Sequence, residues 1–155
     1  MVVVLAASRA FALDAGELDC ALNSDVASAP FKAKLPKTMK LLETVSEPRV
    51  VTQRLQMPDG STVTVTIGGC AHLGFSVQVE RSDLGPNLRK GVTAVTASLR
   101  ALPLNEYPRQ LAGQLLEALG KAKVSKSPAD LPCGDAQCRF ELTPGVALIS
   151  YVFIL

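Results

Sequence analysis

The residues of this chain best suited to chemistry lie close together in the stretch VTIGGCAHLGF. There His72, the single histidine, follows Cys70, one of four cysteines, by two residues. Three chemistries are open to such a pair. A zinc ion needs three or four nitrogen, sulfur or oxygen ligands, commonly supplied as spaced pairs. Cys70, His72, Cys133 and Cys138 make a formal Cys3His set. A thiolate–imidazole nucleophile needs a further group to orient the imidazole, and none is evident. The third reading is structural: Gly68-Gly69 makes a bend, Cys70 joins a disulfide, and His72 opens a strand. An even number of cysteines in a small exported domain reads as a disulfide framework. The third reading is therefore the expected one, with no metal or other cofactor.

Four cysteines allow three pairings. Cys133 and Cys138 bracket Gly134-Asp135-Ala136-Gln137, a small turn-forming stretch, and can close a local ring. That leaves Cys20 for Cys70. A link across about 50 residues removes about 4 kcal/mol of unfolded-chain entropy and would tie the N-terminal segment to the body of the domain. Crossed pairings, Cys70 with Cys133 among them, stay open.

The loop Gly134, Asp135, Ala136, Gln137 is the leading recognition candidate, because a disulfide-closed loop loses little entropy on binding. A second candidate is basic. Lys32, Lys34, Lys37 and Lys40, with Arg49 and Arg54, suit an anionic partner, Lys34 and Lys37 above all. They equally suit a solvated edge on which lysines discourage strand-to-strand association. The carboxylates Asp130, Asp135 and Glu141 cluster near the second cysteine loop. A glycosidase needs such a pair, but closeness along the chain alone reads as surface solvation. No nucleophile elbow, phosphate-binding loop or dinucleotide fingerprint is present. The formal net charge is only +2, and aromatics do not interleave with the basic residues, which argues against nucleic acid.

The elements that must position these residues follow from patterning. The N-terminus reads as an export signal remnant over residues 1–12: an apolar run from Met1 to Ala7, then Ala10-Phe11-Ala12, the small-x-small pattern of a cleavage site. A buried first strand, Val2 to Leu5, is the alternative. Residues 13–155 are expected to form one exported domain, periplasmic or secreted. No apolar run reaches the length of about 20 residues of a membrane span. Leu18 to Val26 suits a helical turn around Cys20, and Met39 to Val45 a short strand.

From Pro48 the pattern sharpens. Val50 to Met57 is extended, Pro58-Asp59-Gly60 is a turn, and Ser61 to Ile67 alternates strictly, with Val63, Val65 and Ile67 on one side and threonines on the other. A third strand runs from Ala71 to Glu80. The period then changes to that of a helix, with Leu88, Val92, Val95, Leu99 and Leu102 on one stripe after a Gly85-Pro86 start. A second helix starts at Asn105, read as its N-cap, and stops at Gly120. Lys121 to Asp130 reads as a polar linker. Arg139 to Leu142 and Val146 to Leu155 close the chain as a hairpin, the last strand apolar on both faces. It should be central in the sheet or covered on both sides, by a second layer or by a partner.

These elements predict an α+β fold: an antiparallel sheet of about five strands, comprising a three-stranded meander and a C-terminal hairpin, with two helices on one face and disulfide staples. Small size, a rigid loop and few catalytic groups point to an exported protein-binding domain of unassigned oligomeric state. The expected role is that of an inhibitor or immunity-type protein, whose partner is another exported protein. The alternative is a carrier or sensor of a small apolar ligand, held between helices and sheet; a hydrolase using His72 is the third reading.

Overall fold

A computed structural model describes residues 29–69 and 72–154. Cys20, Cys70, the pairing between them, the cleavage site and the expected turn at Leu18–Val26 lie outside the described residues. Seven strands form one antiparallel sheet: β1 (Lys40–Glu47), β2 (Val50–Gln56), β3 (Thr62–Gly69), β4 (His72–Glu80), β5 (Ala129–Leu131), β6 (Gln137–Thr143) and β7 (Val146–Ile154). Between β4 and β5 stand two helices, α1 (Leu88–Ala101) and α2 (Glu106–Lys121). The strand order is β1-β2-β3-β4-β7-β6-β5. The sheet therefore has seven strands rather than five: Lys40–Glu47 pairs with β2 to make a four-stranded meander, and the last two residues of the expected linker already belong to β5.

The alternation in β3 does what its pattern implies. Val63, Val65 and Ile67 are fully buried beneath the helices, while Thr62, Thr64 and Thr66 are half-buried on the opposite face. β7 lies inside the sheet between β4 and β6. Its odd-numbered residues Ala147, Ile149 and Tyr151 are buried on the helix side; Val146, Leu148 and Val152, on the other side, are half-buried. The turns are built as their residues dictate. In the β2–β3 turn the Asp59 carboxylate accepts the Ser61 amide at 2.9 Å, and Gly60 sits at φ +83°. In the β1–β2 turn, Pro48 leads into Arg49 at φ +70°, the type II position where glycine is usual, and the Arg49 carbonyl accepts the Gly69 amide at 2.9 Å.

Both helices cover one face. Val95, Leu99, Leu111, Leu115 and Leu119 are buried there against the sheet. The start of α1 lies two residues beyond the expected Gly85-Pro86: the Asn87 side chain accepts the Lys90 amide at 3.1 Å, so the asparagine cap sets the boundary. Asn105 does flank α2, but its side chain makes no cap bond. Its amide donates instead to the carbonyls of Ala29 at 2.7 Å and Phe31 at 2.9 Å. The segment 29–39 is thereby strapped under β1 and β2. The Phe31 amide donates to the buried Gln53 side chain at 2.9 Å, and Phe31 forms a bridge with Leu104. No helix among the described residues is long and apolar enough to cross a membrane.

At the end of the sheet carrying the β2–β3 and β6–β7 turns, Arg81 pairs with Asp83 and, at 3.7 Å, with Asp59, while Lys90 reaches Asp83 at 2.8 Å. Hydrogen bonds from Lys90 and then Arg81 hold the Asp83 carboxyl down to about 2. The Ser61 hydroxyl and amide hold Asp59 below the usual carboxylate range. Carboxyls depressed on folding stabilise fully above their unfolded value of about 3.9 and lose that contribution as pH falls through the folded value. Urea midpoints are therefore expected to hold from neutrality to about pH 4 and to fall from there to about pH 2. Asp83→Asn should flatten part of that fall. A parent midpoint unchanged down to pH 2 would show that these ion pairs add nothing.

Candidate functional site

The expected local ring is present: Cys133 and Cys138 are bonded, with Cα atoms 6.0 Å apart. The bridge closes the β5–β6 hairpin at the outer edge of the sheet, where Leu131 pairs with Cys138. Within the loop the Ala136 amide donates to the Cys133 carbonyl at 3.3 Å, and Gly134 takes φ +65°, which suits a residue without Cβ. Gly134, Asp135 and Gln137 are exposed; Cys138 is buried at the base, and Phe140, one step further into the core, is fully buried. A rigid tip thus stands on a packed root. Because the two sulfurs are bonded to each other, they are not available as the thiolates of a Cys3His zinc set. Among the described residues, no three histidine, cysteine or carboxylate groups are placed to hold a metal ion.

His72 is the first residue of β4, with its backbone opposite Ile154 of β7. Gly74, Val152 and Gln137 lie in one register row across β4, β7 and β6, so His72 and the disulfide loop share an end of the sheet. Two strand spacings, about 10 Å, separate their strands. Lys34 and Lys37 are not brought to this place. They are exposed on the segment that leads into β1, the edge strand at the opposite end of the strand order from β5. The six-residue basic patch is also divided. Arg54 lies on the face of the sheet opposite the helices, paired with Glu80 at 3.2 Å, and Arg49 lies in the β1–β2 turn. Asp130 is opposite Arg139, Asp135 is at the loop tip and Glu141 is on β6, so the three carboxylates do not converge on a cleft.

Three surfaces escape a reading by motif. On the face opposite the helices, Thr52, Thr66, Ser76 and Ser150 line up in register across four adjacent strands, with the Thr52 and Thr66 hydroxyls 3.0 Å apart. The threonine alternation signals half of that row, whereas Ser150 is hidden inside an apolar run. Tyr107 on α2 is 39% exposed; burial and the neighbouring Tyr151 raise its hydroxyl's pKa. On β1, Leu41, Leu42 and Val45 are 40–44% exposed, an unusual display for large aliphatic side chains on an edge strand.

The space between helices and sheet, where an apolar ligand was the alternative expectation, is occupied by the fully buried Phe75, Phe140, Leu115 and Ile149. Two surface cavities lie elsewhere. One of about 380 Å³ is between the strap and β1; another of about 410 Å³ is by the β2–β3 and β6–β7 turns. Comparisons of the chain with family models, characterised proteins and solved structures find no match.

Proposed function

We propose that this chain is an exported protein-binding domain of the inhibitor or immunity type, and that the Cys133–Cys138 loop is the part that enters its partner, an exported enzyme. The observation that carries this reading is the loop itself: a disulfide-closed, solvent-facing tip rooted on buried Cys138 and Phe140. Such a loop is ordered before it binds, so contacts made by Asp135 or Gln137 are not spent on fixing the backbone. A convex, pre-ordered loop suits a concave surface such as an active-site cleft. The packed interval between helices and sheet gives the carrier reading no comparable support.

The test is direct. Oxidised protein beginning at Leu13 is immobilised and exposed to periplasmic extract and culture supernatant; retained enzymes are then assayed with and without the soluble protein. We expect one enzyme to be retained and its activity to fall. Asp135→Ala together with Gln137→Ala should weaken that inhibition tenfold or more, the scale of truncating loop-tip hot spots. Cys133→Ser with Cys138→Ser should weaken it too and lower folding stability by about 2 kcal/mol. Inhibition indifferent to all four substitutions would remove the loop from the interface.

A further inference from the structure

We propose that two copies of this chain pair through the outer edges of their β1 strands, joining the two sheets about a two-fold axis at Thr44. The two edges of the sheet are unlike. On one side it ends in β5, three residues long and followed by the disulfide loop. On the other it ends in β1, eight residues long and exposed throughout, where Leu41, Leu42 and Val45 present aliphatic surface. Among the described residues no strand pairs with the outer side of β1. Such an edge offers its backbone groups to a further strand. β5 is too short to match it, whereas a second β1 matches it along its whole length and closes the assembly at two copies.

The side chains of β1 fit this partner. Lys40, Glu43, Val45 and Glu47 lie on the face opposite the helices, in register with Gln56, Arg54, Thr52 and Val50. Leu41, Thr44 and Ser46 lie on the helix face, in register with the buried Leu55, Gln53 and Val51, and the Gln53 amide donates to the Thr44 hydroxyl at 3.2 Å. Leu42 is the extra residue of a bulge. A two-fold axis normal to the sheet sets residues opposite each other only when they share a face. Centred on Thr44, it places Thr44 opposite Thr44, Glu43 opposite Val45, Leu41 opposite Ser46, and Lys40 opposite Glu47 of the second copy. The bulge makes this register possible: in a regular strand Lys40 and Glu47 would point to opposite faces. The one lysine of the strand thus meets a glutamate twice, once at each end of the seam. Glu43, the remaining charge, stays beside Arg54 of its own β2. Lys37 precedes the strand, so antiparallel pairing carries it toward the Glu47 end of the second copy; Lys32 and Lys34 are outside the ladder. The joined sheets leave the two Cys133–Cys138 loops at their far edges, both free.

Sedimentation equilibrium on the full oxidised chain tests this. The mass should rise reversibly from one chain to two with concentration. Lys40→Glu should weaken the dimer about tenfold, because two exposed ion pairs become two like-charge contacts. Glu47→Lys should do the same, and the two substitutions together in one chain should restore the dimer. Both residues are exposed, so an unchanged urea midpoint reports that each variant is folded. Hydrogen exchange places the seam: amides of 40–47 that point away from β2 should gain protection as concentration rises. A chain that stays monomeric at about 1 mM would overturn the proposal. So would a dimer indifferent to Lys40→Glu, or one that the double exchange fails to restore, since either assigns the contact to another surface. The inhibition assay reads the loop on the opposite edge and fails or succeeds independently.

Discussion

Phe140→Ala is expected to lower the stability of the folded chain by about 3–5 kcal/mol, the range for truncating a fully enclosed phenylalanine. The ring is completely buried on β6. It packs under α1 so closely that a Cβ at Gly91 would lie 3.3 Å from Phe140 Cζ. Its backbone is paired on both sides, with Ala129 of β5 and Ile149 of β7. Removing the ring therefore loosens the root of the hairpin that carries the disulfide loop. Domains are stable by only about 5–15 kcal/mol, and for a chain of this size each kcal/mol moves Tm by roughly 2–4 °C. The melting point should thus fall by about 10 °C. The neighbouring bridge closes a short ring and contributes about 2 kcal/mol, so packing, more than the covalent link, holds this hairpin to the core. Urea unfolding under oxidising conditions, with Phe140→Leu as the milder variant, measures it. A change below about 1 kcal/mol for the alanine variant would mean the ring is not enclosed.

Gly68→Ala is the second large effect. A Cβ at this position would lie 2.1 Å from the Arg49 carbonyl oxygen and 2.7 Å from Val50 Cα. Both are backbone atoms, so no side-chain rotation relieves the collision; the β1–β2 turn must move away from β3. That movement breaks the bond from the Gly69 amide to the Arg49 carbonyl and the pairing of Val50 with Gly68. A loss of about 3 kcal/mol or more is expected, in the upper tail for single substitutions. Gly60→Ala is the comparison. Gly60 also has positive φ, but an added Cβ there meets no heavy atom within 4 Å. It should cost only the left-handed penalty of about 1–2 kcal/mol. Equal losses at the two positions, measured by urea midpoints, would show that conformation and not contact sets the cost at Gly68.

How far these features could be read in advance depends on how local their cause is. Val63, Val65 and Ile67 alternate with threonines, so the faces of β3 were legible, as were the Leu-rich stripes of both helices. The inner position of β7 followed from its two apolar faces. β5 was not legible, because three residues after a polar linker carry no period and pair only because β6 stands beside them. Asn105 shows the same limit. A local rule makes it a cap, while a strap more than seventy residues away in sequence claims its side chain. The ring at Cys133 and Cys138 was readable from spacing and the turn-forming residues between. The distance of Lys34 and Lys37 from that loop was not, since it depends on strand order, which no local pattern encodes.

The pairing of β4 with β7 has a consequence for how the molecule comes into being. The β1–β4 meander forms from neighbours in sequence, and so does the β5–β7 unit. The two join through a single ladder whose partners run from Glu80 opposite Val146 to His72 opposite Ile154. Closing it requires about 65 residues, including both helices, to be looped out first. Non-local pairing of this kind is slow compared with hairpin closure. Until it happens, β4 and the strongly apolar β7 are both unsatisfied strand edges, the surfaces on which chains aggregate. The ladder that completes the core is therefore also the expected slow step of assembly, and the interval before it closes is when a newly made chain would be most open to the wrong neighbour.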